Sequence, residues 1–110
     1  MEVLYLRDDN IGDEETKILC KALRFNTTIT SIDLSNNKIG VDGTKRIISL
    51  LEMNSTLTSL SLDCTDAGVE GARIISKFLE SNTILKSLSL GCMKVSAFLN
   101  RFIFRDFYWR

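Results

Sequence analysis

Leu6, Leu34, Leu62 and Leu90 stand 28 residues apart, and the residues around each repeat with them. The matching lines are Met1-Glu-Val-Leu-Tyr-Leu6, Ile29-Thr-Ser-Ile-Asp-Leu34, Leu57-Thr-Ser-Leu-Ser-Leu62 and Leu85-Lys-Ser-Leu-Ser-Leu90. A fixed period of about 20 to 50 residues marks a solenoid, in which each unit buries its apolar face only against its neighbours. The period divides the single domain of residues 1–110 into units 1–28, 29–56, 57–84 and 85–110, the last of them atypical.

One unit shows the physics. In Ile29, Ile32 and Leu34 the apolar residues follow apolar-x-x-apolar-x-apolar, and the last two alternate as a short strand does. Asn37, Ile39 and Gly40 follow, a turn in which the Asn side chain reaches backbone groups that no ladder satisfies. Thr44, Ile47, Ile48, Leu50 and Leu51 then recur at helical spacing, predicting a helix over 42–53. Asn54 is expected to end that helix in the left-handed conformation. Upstream, Leu4, Leu6, Ile11, Thr16, Leu19 and Leu23 repeat the pattern. Downstream, Leu60, Leu62, Ala67, Ala72, Ile75 and Leu79 do the same. Stacked units give a parallel sheet with helices behind it.

These lines, and Ser35-Asn36-Asn37-Lys38-Ile39-Gly40 above all, resemble the leucine-rich repeats of the ribonuclease-inhibitor type over residues 1–95. The resemblance implies an α/β leucine-rich repeat solenoid: a short right-handed horseshoe arc, parallel sheet concave, helices convex. The other units depart from the pattern. Asp9 and Thr65 stand at the Asn position, Ala67 replaces the Ile, and Met93, Val95 and Ser96 depart further.

Composition excludes several functions. The 110 residues carry 14 basic and 14 acidic side chains, so a net charge of zero offers no electrostatic case for nucleic acid or an anionic membrane. No apolar run approaches the roughly 20 residues of a bilayer span. No signal peptide is apparent. With no histidine, His-based triads and most catalytic zinc sites are ruled out. No cofactor or metal is expected, and the chain reads as a non-enzyme. Three scattered cysteines fit a reducing, cytoplasmic setting. Cys64 and Cys92 occupy equivalent strand positions, close enough for a disulfide at the ~4.8 Å strand spacing, but two reduced thiols are the favoured reading. Cys20 aligns with Ile48 and Ser76 on the helix side. The triplets Asn26-Thr27-Thr28 and Asn54-Ser55-Thr56 and the pairs Gly40/Gly43 and Gly68/Gly71 are products of the repeat.

The resemblance implies a protein partner on the concave sheet. One column there is Tyr5, Asp33, Ser61 and Ser89; the next is Arg7, Ser35, Asp63 and Gly91. The candidate partner-binding residues are Tyr5, Arg7, Asp33, Ser35, Ser61 and Asp63, with Tyr and Arg the types enriched at hot spots. The helix side has a basic column, Lys17, Lys45 and Arg73 with Lys21 and Lys77. Asp13, Asp42 and Glu70 are spaced to pair with it, so it reads as a solvated face.

Beyond Ser96 the period fails. Phe98, Leu99, Phe102 and Ile103 have helical spacing and suit a last helix that closes the core. Phe102, Phe104, Phe107, Tyr108 and Trp109 supply an aromatic surface for self-association, and homo-oligomers through the chain ends are expected. The open edge of the first strand favours the same outcome. Relatives of this repeat type include cytosolic inhibitors, innate-immune sensor domains and activators of the Ran GTPase. The alternatives are therefore a regulator of a partner enzyme, GTPase-activating or inhibitor-like, or a self-associating fragment of a longer array.

Overall fold

A computed structural model describes residues 2–91 and 108–109. Strands and helices alternate: β1 (Glu2–Tyr5), α1 (Asp13–Leu23), β2 (Ile29–Asp33), α2 (Val41–Met53), β3 (Ser59–Ser61), α3 (Gly68–Ser81), β4 (Ser87–Ser89) and β5 (Tyr108–Trp109). The strands form one sheet in the order β1-β2-β3-β4-β5, each pair parallel. Tyr5 pairs with Asp33, Asp33 with Ser61 and Ser61 with Ser89, which is the 28-residue register.

The core lies between sheet and helices. Ile32, Leu34, Leu60, Leu62, Leu88 and Leu90 come from the strand side, Ile47, Leu50, Leu51 and Ile75 from the helices, and all are buried. Each such side chain contributes about 1.5–3 kcal/mol over leaving it in water. The first unit is less covered. Leu4, Leu6, Ile11 and Leu19 pack on the core but are only half-buried, because no unit stacks on their outer side among the described residues.

Asn37 sits at the turn where the pattern demanded it, and it is buried. Its Oδ1 accepts from the amides of Asp9 (3.1 Å) and Ile11 (2.9 Å), and its Nδ2 donates to the carbonyls of Leu6, Leu34 and Ser35. One side chain thus satisfies the turns of two adjacent units. Thr65, at the same place in the third unit, donates to its own Leu62 carbonyl and bridges no second unit among the described residues. The left-handed residues recur as well: Asp8, Asn36 and Cys64 have φ of 60°, 57° and 56°.

Two expectations are corrected. Asn54 is extended (φ −100°, ψ 127°), not left-handed. Its side chain ends the helix instead: Oδ1 accepts from the Thr56 and Leu57 amides, while Nδ2 donates to the Leu23 and Asn26 carbonyls of the preceding unit. The second correction concerns the tail. Tyr108 and Trp109 form a fifth parallel strand against Ser87 and Leu88, a crossover of 21 residues in place of 28. Aromatic residues favour strands, and this pair commits its backbone to the sheet where no strand was foreseen. Phe98, Leu99, Phe102, Ile103, Phe104 and Phe107 lie outside the described residues, as does the closing helix assigned to them.

Candidate functional site

Alternation along β1 to β4 sends every second side chain to the open face of the sheet. There they border a shallow hollow of about 470 Å³. Tyr5, Arg7, Asp33, Ser61 and Asp63, all selected from the sequence, line it. So does a third column that the sequence reading did not name: Val3, Ser31, Ser59 and Ser87, aligned by the strand register. The same two-residue alternation that selected Tyr5 and Arg7 points to it.

Tyr5 is the most open of these, 71 % exposed. Next to it the Arg7 guanidinium lies 3.8 Å from Asp33 Oδ2, an ion pair across two strands. Asp33 Oδ1 accepts the Ser35 amide at 3.0 Å, so the carboxylate is held from both sides. Asp63 is anchored likewise, its Oδ1 accepting from Ser89 Oγ at 2.6 Å and from the Gly91 amide. These internal bonds fix both carboxylates at the border of the hollow.

Ser35 does not belong to this surface. It is buried (1 % exposed), its hydroxyl 2.7 Å from Ser61 Oγ and accepting the Asp63 amide at 3.2 Å. Arg7 and Asp63, at the equivalent places of their units, reach the hollow with longer side chains, whereas the short Ser35 side chain is held beneath it by these two partners. Ser61 remains on the hollow, tied to Ser35 beneath.

The helix side also differs from its expected solvated pattern. Of the three expected pairs, Glu70–Arg73 forms at 3.3 Å. Asp13 turns away from Lys17 and accepts from the amides of Gly40 (2.7 Å) and Gly43 (2.9 Å) at the start of α2. Asp42 and Lys45 form no ion pair among the described residues. Cys20 is half-buried; desolvation pushes its thiol up to about 11, against a smaller opposing pull from Arg46. Cys64 is disulfide-bonded, where two reduced thiols were expected; Cys92 lies outside the described residues.

A family described as Leucine Rich repeat matches residues 25–47, which run from just after α1 through β2 into α2. The fold is that of a leucine-rich repeat protein. Among solved structures the repeat solenoid is similar to "Leiomodin-1 Actin-Binding Site 2 (ABS2)", with a TM-score of 0.80 and 21 % identity, covering 98 % of this chain and 69 % of that one. No curated protein sequence matches. Among the described residues no helix is long and apolar enough to cross a membrane, and no group of three His, Cys, Asp or Glu could hold a metal ion.

Proposed function

We propose that this chain is a non-enzymatic protein-interaction module of the ribonuclease-inhibitor-like repeat type, and that its partner docks on the concave sheet. The observation that carries this is the corner formed by Tyr5, Arg7 and Asp33. An exposed phenol stands beside an ion pair whose carboxylate is pre-positioned by the Ser35 amide. Tyr and Arg are the residues that most often concentrate binding energy, and a fixed side chain loses little entropy on association. Asp63, held by Ser89 and Gly91, adds a second fixed acceptor at the far end of the hollow. The units of 28 residues with helices of 11, 13 and 14 residues support the subtype.

Actin is the first protein to assay, because a solved structure of the same fold carries an actin-binding site in its name. The test is co-sedimentation with filamentous actin and affinity capture from a cell extract, with the unmodified chain and with Tyr5→Ala and Asp63→Ala. A partner lost by both variants supports the concave sheet. A partner retained by both moves the site elsewhere.

A further inference from the structure

We propose a second binding surface on the opposite face: the groove between α1 and α2, fitted to an acidic amphipathic helix of a protein partner. The groove holds about 300 Å³. Four cations, Lys17, Lys21, Arg24 and Arg46, border it over a floor that includes Cys20 and Leu50, and no carboxylate lines it.

Three observations set this groove apart from an ordinary solvated helix face. First, its neutralising residue is diverted. Asp13, spaced to pair with Lys17, is committed to the amides of Gly40 and Gly43. Among the described residues none of the four cations forms an ion pair.

Second, most of the charge does not repeat. One unit on, Lys17 is matched by Lys45, but the places of Lys21, Arg24 and Arg46 are taken by Ser49, Glu52 and Ile74. The period that lays down the fold therefore explains Lys17 and not the other three cations. Third, the groove opens onto apolar surface. Met53 lines it and is 56 % exposed, and Phe25, at the equivalent place of the first unit, is 81 % exposed. Arg24 lies over the Phe25 ring at 5.2 Å.

A cationic border over an apolar floor between two helices matches the two faces of an acidic amphipathic helix, whose apolar ridge enters the groove while its carboxylates meet the border. A polyanion such as nucleic acid would use the cations and leave Leu50, Met53 and Phe25 without a role. The raised thiol of Cys20, which feels Arg46, agrees with a floor that is already partly dry.

The test uses a fluorescein-labelled 15-residue peptide of Glu, Leu and Ala, with Leu at helical i, i+3, i+4 and i+7 spacing. Its anisotropy is titrated with the full chain at low salt and in 0.5 M NaCl. The expected result is binding that falls at least tenfold in Lys21→Glu/Arg46→Glu and at least threefold in Met53→Ser, and is unchanged in Tyr5→Ala. Amide shifts on the ¹⁵N-labelled chain should cluster on α1 and α2. All the altered side chains are exposed, and thermal melts confirm that the variants fold; Arg24→Glu serves in place of any that does not. No binding, binding indifferent to charge reversal, shifts centred on the strands, or tighter binding of a 20-mer of oligo-dT or of phosphatidylserine vesicles would each overturn the proposal. Because Tyr5→Ala leaves this binding intact, failure here is separable from failure of the concave-face reading.

Discussion

The carboxylate of Asp13 lies 2.7 Å from the amide of Gly40, so the first helix caps the second. The same oxygen takes the Gly43 amide at 2.9 Å. These are two of the four amides that a helix start leaves unpaired, and an anion there also suits the helix dipole. Asp13→Ala should cost about 1–2 kcal/mol, a fall in Tm of about 5–10 °C for a chain of this size. Gly43→Ala should be no milder. A Cβ there would meet Asp13 Oδ1 and Ile39 Cγ2 at 2.6 Å, forcing the cap apart. Differential scanning calorimetry checks both. An unchanged Tm in Asp13→Ala would remove the cap from the account of stability.

The Asn ladder is testable in both directions. Asn37→Ala strands two amides and three carbonyls at a buried turn, and should cost about 3 kcal/mol. Thr65→Asn should do the reverse. An Asn at that place would face the amides of Asn37 and Ile39, one repeat after Asp9 and Ile11, and should add about 0.5–1 kcal/mol. Urea unfolding midpoints read both changes; a destabilised Thr65→Asn would mean that the third turn is not built like the second.

The period is a statement about what every unit must bury, and such residues could be read directly. Leu34, Leu62 and Leu90 fell in the core, and Tyr5, Asp33 and Ser61 fell in one column, because strand register and helix spacing leave no other place for them. Legibility failed where a residue acts across units or only once. Asp13 has Val41 and Val69 as its counterparts, so nothing in the pattern announced a cap reaching from one helix to the next. Ser35 looked like the next member of a surface column, but its short side chain is buried against the Ser61 hydroxyl and the Asp63 amide. Asn54 was rightly placed at a helix end and wrongly assigned a conformation, because its side chain serves the Thr56 and Leu57 amides of the following turn and the carbonyls of the preceding unit, a role that an extended backbone permits. The strand at Tyr108–Trp109 arrives after 21 residues, outside the period that made the others visible.

Cysteine chemistry gives a prediction with a defined sign. Burial raises the Cys20 thiol from its ordinary 9.0 to about 11, so the folded state favours the neutral form. The stability this provides is complete below pH 9 and is lost as pH rises through 11. Below pH 9 the thiolate population is on the order of a hundredfold smaller than that of an unfolded chain, and alkylation by iodoacetamide should slow accordingly. Cys20→Ser should abolish the slow phase. Cys64, being disulfide-bonded, should not react until reductant is added. Protein isolated without reductant should therefore show one free thiol, rising to three on reduction. Three at the outset would indicate the reducing compartment in which such bonds do not persist.

The Arg7–Asp33 pair separates binding from stability. At 3.8 Å, with the Arg7 side chain 53 % exposed and Asp33 17 % exposed, it is a cross-strand surface pair in contact with water. Such pairs contribute about 0.2–1 kcal/mol. Asp33 has a second duty, accepting the Ser35 amide that leads the chain into the buried turn. Arg7→Ala should therefore lower Tm by no more than about 5 °C, whereas Asp33→Ala should lower it further. If the concave sheet is the docking face, the order reverses for the partner. Arg7→Ala then removes a hot-spot side chain with little structural damage, and should weaken binding by tenfold or more. Its salt dependence should shrink as well, since a charge at the edge of a hollow acts largely on encounter. A variant that loses stability and affinity in parallel would show only that the sheet must be folded to bind. Affinity lost at constant Tm would place the partner on Arg7.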